Sequence, residues 1–211
     1  MRNHYQTNLN PRTYPAICQA VISGRLSRVQ RALDAGENVN RITRAYLDYT
    51  PLHWAVMTKK RIPIMQLLLD RGADTEQMSA DGLHALNMAV DRNHVKAVEM
   101  LLDHGADVDA TCDGTGFEPP WTPLRAAIGR LVDTEIVQIL LQHGASTTWH
   151  VMDPAVPVRQ RYISRIPIGV CEYISRVLSH APMRRDELLE IIRNERPDEF
   201  MEWWAGTGVQ P

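Results

Sequence analysis

The string Thr50-Pro51-Leu52-His53 returns 72 residues later as Thr122-Pro123-Leu124-Arg125, and each copy is followed about twenty residues on by a Gly-Ala pair. A chain that repeats itself on this scale stacks one supersecondary unit on the next instead of closing around one globular core. Aligning the chain on itself yields four Ala-then-Gly units: Ala20 with Gly36, Ala55 with Gly72, Ala89 with Gly105, and Ala127 with Gly144. Thr50 and Thr122 can each accept a hydrogen bond from an unpaired N–H of a first helical turn. Pro51 and Pro123 then occupy the helical position where a missing N–H costs nothing. These are helix starts. Leu67-Leu68-Leu69, Leu101-Leu102 and Ile139-Leu140-Leu141 fall at the ends of second helices, and the glycines that follow suit the left-handed backbone that stops a helix.

A unit of this kind resembles the ankyrin-repeat family, whose repeat of about 33 residues is a hairpin turn plus two antiparallel helices. The resemblance covers residues 15 to 150. It implies an all-α solenoid of four helix-turn-helix repeats with hairpin loops, at about 15–44, 45–78, 79–110 and 111–150, as one elongated domain. Residues 1–14 form an N-terminal arm. Residues 151–211 are expected to be a degenerate fifth repeat or helical cap, with Val170, Tyr173, Ile174, Val177 and Leu178 at helical spacing between Ile168 and Leu178. A second helix from Arg184 to Arg193 buries Leu188, Leu189, Ile191 and Ile192. The aromatic acidic tail, with Phe200, Trp203 and Trp204, docks back on this cap or enters a partner's groove. No ubiquitin-ligase recruitment motif is written there.

Composition narrows the class. The net charge is −2 and no block of five like charges occurs, which argues against nucleic acid as the main partner and against an electrostatic membrane anchor. No apolar run is long enough for a bilayer span or for a signal peptide in the first thirty residues. Three widely spaced cysteines, Cys18, Cys112 and Cys171, suggest neither a disulfide framework nor a zinc motif. A reducing compartment, cytoplasmic or nuclear, is the expectation.

Function in a repeat scaffold sits where the repeats differ. The step from helix-stop Gly to the next helix-start Leu is fourteen residues for Gly72 to Leu86, sixteen for Gly36 to Leu52, and nineteen for Gly105 to Leu124. The longest of these, residues 111–121, is either a surface loop tucked on its own repeat or a lip over the concave face. The resemblance implies that partners meet the hairpin tips and the first-helix residues just after the alanine. Carried onto this chain, the positions are Tyr46, Leu47, Tyr49, Met57 and Thr58; then Asp81, Leu83, Asp91 and Arg92; then Glu118, Trp121, Gly129 and Arg130. Tyr49, Leu83 and Trp121 make an apolar ridge among Asp91, Arg92 and Arg130, the composition of a contact surface with aromatic anchors and a polar rim. Another protein is therefore the expected partner.

Catalysis finds little support. None of the eight histidines forms a zinc-binding i, i+4 pair with an intervening Glu, and no nucleophile elbow or phosphate-cradling loop occurs. Neither a metal nor a cofactor is expected. His53 reads as a strut between hairpin and helix. His104 and His143 suit the negative ends of helix dipoles, while His84, standing where a Thr is expected, caps a helix or faces the groove. The alternative function is a small-molecule site or cofactor-independent enzyme under the 111–121 loop, with Tyr49, His84, Asp91, Arg92 and Arg130 as candidate groups. Because each midpoint alanine is expected between neighbouring helices, Ala89→Leu should lower stability by about 1 to 3 kcal/mol through overpacking, measurable as a lower urea midpoint.

Overall fold

A computed structural model describes residues 14–43, 47–112, 122–152 and 165–206. They form two compact units, one on each side of the Asp107–Val108 bond. In the first, three helix pairs follow in order: α1 (Ala16–Ile22) with α2 (Leu26–Asp34), α3 (Pro51–Val56) with α4 (Ile62–Asp70), and α5 (Ala85–Asp91) with α6 (Val95–Asp103). The first helices pack as a row α1–α3–α5, and the second helices as a row α2–α4–α6. Ala20, Ala55 and Ala89 are buried in the first row, where a side chain ending at Cβ lets helices approach closely. Ile17, Leu52, Ile64, Met65, Leu68, Leu86 and Leu101 fill the space between the rows and are almost wholly excluded from solvent.

The local signals do what their chemistry dictates. Thr50 Oγ1 accepts from the His53 N–H at 3.2 Å, and Thr122 Oγ1 from the Arg125 N–H at 3.3 Å. Gly36, Gly72, Gly105 and Gly144 end the second helices at φ between 79° and 86°, a conformation glycine adopts at no steric cost. His104 and His143 each donate from Nδ1 to the carbonyl four residues back, at 2.8 and 2.9 Å, satisfying helix-end acceptors.

One polar position locks each repeat to the next. The Asp74 N–H donates to Asn40 Oδ1 at 2.8 Å, and the Asp107 N–H to Glu76 Oε1 at 3.1 Å. In the second unit the Ser146 N–H donates to Asp109 Oδ1 at 2.9 Å. The acceptor always stands four residues after a helix-stop glycine, and the donor two residues after the following one.

The second unit comprises α7 (Pro123–Gly129), α8 (Thr134–Gln142), strands β1 (Thr148–Met152) and β2 (Arg165–Gly169), α9 (Val170–Val177), α10 (Pro182–Glu195) and α11 (Pro197–Gly206). The ankyrin helical pattern is present, and the described residues add a two-stranded antiparallel ladder that the helical spacing did not announce. It runs from Thr148 opposite Gly169 to Met152 opposite Arg165. Ile168 and Gly169 are taken up by β2, so the helix expected from Ile168 begins at Val170. It buries Val170, Tyr173, Ile174 and Leu178. Pro182 opens α10 two residues earlier than expected; Leu188 and Ile192 are buried, whereas Leu189 and Ile191 are half-buried. α10 packs on α8 and α9, and α11 folds back on α9 and α10.

Two arginines tie this cap to the fourth repeat. Arg196 Nη2 donates to the Leu141 carbonyl at 2.9 Å, and Arg184 donates to the Val132 carbonyl. The Arg125 guanidinium lies 5.5 Å from the centre of the Tyr173 ring, so the fourth repeat's departure from Thr-Pro-Leu-His serves a stacking contact with α9.

The turns between paired helices contain a left-handed residue at Gly24, Asn93 and Leu131, with φ of 69°, 50° and 55°. Gly and Asn tolerate that conformation; Leu does not. Leu131 is also 45 % exposed, so little burial offsets its strain. Replacing Leu131 by Asn should raise unfolding stability by about 0.5 to 1 kcal/mol, seen as a higher urea midpoint at unchanged m-value.

Candidate protein-binding face

In the first unit the hairpins are fixed by short-range chemistry before any partner is met. The Thr43 N–H and Oγ1 both donate to the Tyr49 carbonyl, at 2.9 and 2.8 Å. The Ala80 N–H reaches across to the Leu47 carbonyl at 2.9 Å, joining the hairpin of the third repeat to that of the second. Within the third hairpin the Gly82 N–H donates to the Ser79 carbonyl at 2.9 Å, and the Leu83 N–H to Ser79 Oγ at 3.1 Å. Ser79 Oγ also bonds to Asp81 Oδ1.

His53 is the strut of this assembly. Its Nε2–H donates to the Leu83 carbonyl at 3.2 Å, which fixes Nδ1 as the acceptor of the Thr50 N–H at 3.2 Å. Burial pushes the imidazole down to about 4; the Leu83 carbonyl and Asp81 act weakly in the other direction. The ring is neutral near pH 7.

The predicted contact residues divide into four groups. Thr58, Asp91 and Arg92 are exposed, and Met57 and Leu83 half-buried. Met57 and Arg92 are the C-caps of the neighbouring helices α3 and α5, with Asp91 the last residue of α5. Arg130, also exposed, is the C-cap of α7 in the second unit. Tyr46, Glu118 and Trp121 lie outside the described residues, as does nearly all of the 111–121 loop.

Tyr49 requires a correction. It is 3 % exposed and therefore is not a surface anchor. Its ring stacks on His53 at 5.5 Å and meets Trp54 edge-on at 5.3 Å. Tyr49 directly precedes the N-cap Thr50, and Trp54 is the fourth helical residue, the pair of positions that packs as a hydrophobic staple. Leu83 holds the same position before the N-cap His84 and is half-buried.

The alternative catalytic set does not converge in the first unit. His84 begins α5, with its backbone N–H donating to Asn87 Oδ1 at 3.3 Å, while Asp91 and Arg92 end it. Seven residues of helix separate them by about 10 Å along the axis, and Tyr49 lies in the core. Cys18 and Cys171 are buried thiols pushed up to about 12, chiefly by desolvation, so neither is a ready nucleophile. Among the described residues no group of three or more His, Cys, Asp or Glu could hold a metal ion. No helix among them is long and apolar enough to cross a membrane.

Arg61 escaped sequence reasoning. It closes the 3-10 turn at Lys59–Arg61, donating from Nη1 to the Trp54 carbonyl at 2.7 Å and from Nη2 to the Ile22 carbonyl at 2.8 Å. One guanidinium thus caps the C-terminal ends of α1 and α3. The pairing joins residues 39 apart, so no local spacing announces it. The lock at Asn40, Glu76 and Asp109 was also missed, although its constant distance from the glycines was a visible signal.

Comparison with known proteins agrees with this geometry. The family described as ankyrin repeats (3 copies) matches residues 17–112 and 60–151. The chain belongs to the ankyrin-repeat family. Over 104 residues it is 35 % identical to human ankyrin repeat and SOCS box protein 6, covering 46 % of this chain and 24 % of that protein. Mouse palmitoyltransferase ZDHHC13 is 30 % identical over 102 residues, 48 % of this chain and 16 % of its own. An ankyrin repeat protein of Rickettsia bellii is 25 % identical over 158 residues, 74 % of this chain and 56 % of its own. The chain thus spans from under a fifth to just over half the length of these relatives. Ankyrin repeats imply, at the coarse level, a protein-interaction module.

The His53 strut makes stability depend on pH. An unfolded imidazole takes up its proton near 6.5, the native one only near 4, so the unfolded state binds the proton first as pH falls. The stabilisation is complete above about pH 6.5 and is lost towards pH 4. The loss amounts to roughly 3 kcal/mol. His94 is displaced downward as well, by burial and then by Lys59. Urea unfolding across this range should show a slope for wild type that is reduced in His53→Gln; equal slopes would remove His53 from the account.

Proposed function

We propose that this chain holds another protein through the hairpin tips and first-helix ends of its second and third repeats. Met57, Thr58, Leu83, Asp91 and Arg92 are the contact positions. Tyr46, Trp121 and Arg130 are the further positions that the repeat pattern contributes. The observation that carries this reading is the exposure of Asp91 and Arg92 at the end of α5, a helix whose own residues Ala85 to Val90 are buried. Side chains so placed lie outside the core beneath them, and Met78, 40 % exposed, adds apolar surface in the loop that leads into α5.

Rigid presentation is the mechanism. The hydrogen bonds from Ala80 to Leu47, from Ser79 to Leu83 and from His53 to Leu83 fix the hairpins in advance. A partner therefore does not have to supply the ordering free energy that a mobile loop would demand. Charge acts locally through Asp91 and Arg92, since a net charge of −2 gives little long-range steering. Cys18 and Cys171, buried and outside any disulfide, support a reducing compartment, cytoplasmic or nuclear.

Affinity capture from native extract with wild type and a Leu83→Ala/Asp91→Ala/Arg92→Ala variant tests the face, followed by titration of each retained protein. Loss of one contact that anchors binding costs about 2 kcal/mol, so a captured partner should bind the variant at least tenfold more weakly. Circular dichroism should show the variant folded. Equal capture by both proteins would overturn the assignment, and retention of only a small molecule would favour the enclosed-site alternative.

A further inference from the structure

In the first unit the middle pair, α3 and α4, has a neighbouring pair on both sides, whereas among the described residues α1 and α2 are covered by α3 and α4 on one side only. Their other side is a shallow groove of about 560 Å³, lined by Ala16, Gln19, Ala20, Ile22, Arg28 and Arg31. Arg25, Arg28 and Arg31 recur every three residues along the edge of α2, and all three are exposed. Among the described residues no carboxylate pairs with any of them, because Asp34, the acid on the same helix, is taken by Arg71 at 3.1 Å. Leu26, 43 % exposed, adds apolar surface beside them.

The last helix carries the converse pattern. α11 turns Phe200, Trp203 and Trp204 inward as one aromatic cluster with ring centres 5.7 to 6.0 Å apart. This leaves Asp198, Met201, Glu202 and Ala205 exposed. Their spacing of i, i+3, i+4 and i+7 places them on one stripe of the helix. Glu199 lies 3.9 Å from Arg196, but Asp198 and Glu202 have no cationic partner among the described residues.

We infer that the α1–α2 face of one copy receives the α11 stripe of a second copy, head to tail. Met201 and Ala205 lie on the alanine and isoleucine floor, and Asp198 and Glu202 meet the arginine edge. The contact continues across a molecular boundary the side-by-side packing that joins α2 to α4 and α4 to α6. The helices match in length, nine residues against ten, or about 14 and 15 Å. The rise between Arg28 and Arg31, about 4.5 Å, is within side-chain reach of the 6 Å between Asp198 and Glu202. The N-terminal arm is a poor competitor for this groove, since residues 1–13 contain Arg2, Arg12 and His4 and no acid. One helix on a two-helix face gives a small interface, below about 1,200 Å² in total, so the association is weak, reversible and salt-sensitive. The surfaces differ, so the contact is heterologous and assembles rings or open chains.

Sedimentation velocity of the full chain over rising concentration, at low and high ionic strength, tests this directly. Wild type should show a weight-average mass that climbs with concentration and falls back with salt. Arg28→Glu/Arg31→Glu and Asp198→Arg/Glu202→Arg should each associate at least tenfold more weakly alone, because each sets like charges opposite one another. Mixed, the two variants restore opposite charges at both kinds of contact and should assemble again, which also shows that both are folded. A wild type that stays monomeric at every concentration overturns the inference. So does self-association that neither variant changes, or a mixture that fails to recover.

Discussion

A pair of short helices cannot bury its apolar side alone, and every feature of this protein follows from the need to place the next pair against it. Ala20, Ala55 and Ala89 let the first helices approach closely. The carboxylate or amide four residues after each helix-stop glycine then catches the backbone N–H of the following repeat. The first contact is apolar and without direction; the second is directional and sets register. Together they convert a chain of local hairpins into stacked units whose stability is shared between neighbours.

Departures from the repeat are compensations for that stacking. The second repeat uses a 3-10 turn where its siblings use a left-handed residue, and Arg61 from that turn satisfies helix-end carbonyls of two repeats at once. The fourth repeat has Arg125 where the second has His53. The second repeat's imidazole reaches the Leu83 carbonyl of the next hairpin, whereas the guanidinium of Arg125 lies over Tyr173 of the cap. An identical position in the repeat thus solves two different packing problems, because the following unit presents a carbonyl in one case and an aromatic ring in the other.

This economy separates scaffold from surface. Residues that sequence logic assigns to a binding ridge can be held inside by their neighbours, as Tyr49 is by Trp54 and His53. Residues at helix C-caps, such as Arg92 and Arg130, remain exposed where the chain turns from one helix to the next. A cation at that end also complements the helix dipole, so these arginines serve the fold from the surface.

Residue periodicity by itself determined the class of fold, the helix starts at Thr50 and Thr122, the stops at Gly72, Gly105 and Gly144, and the helical cap around Tyr173 and Leu188, because caps and amphipathic stripes are local properties. The staple of Tyr49 with Trp54 was also legible there, as a spacing of five residues across an N-cap, yet aromatic character pointed to a surface. Tertiary structure alone decided the Arg61 clamp, the β1–β2 ladder, the stacking of Arg125 on Tyr173, and the burial of Tyr49. Each of these depends on which atoms a distant segment brings within reach, and local spacing encodes the direction of a side chain without encoding what waits at its end.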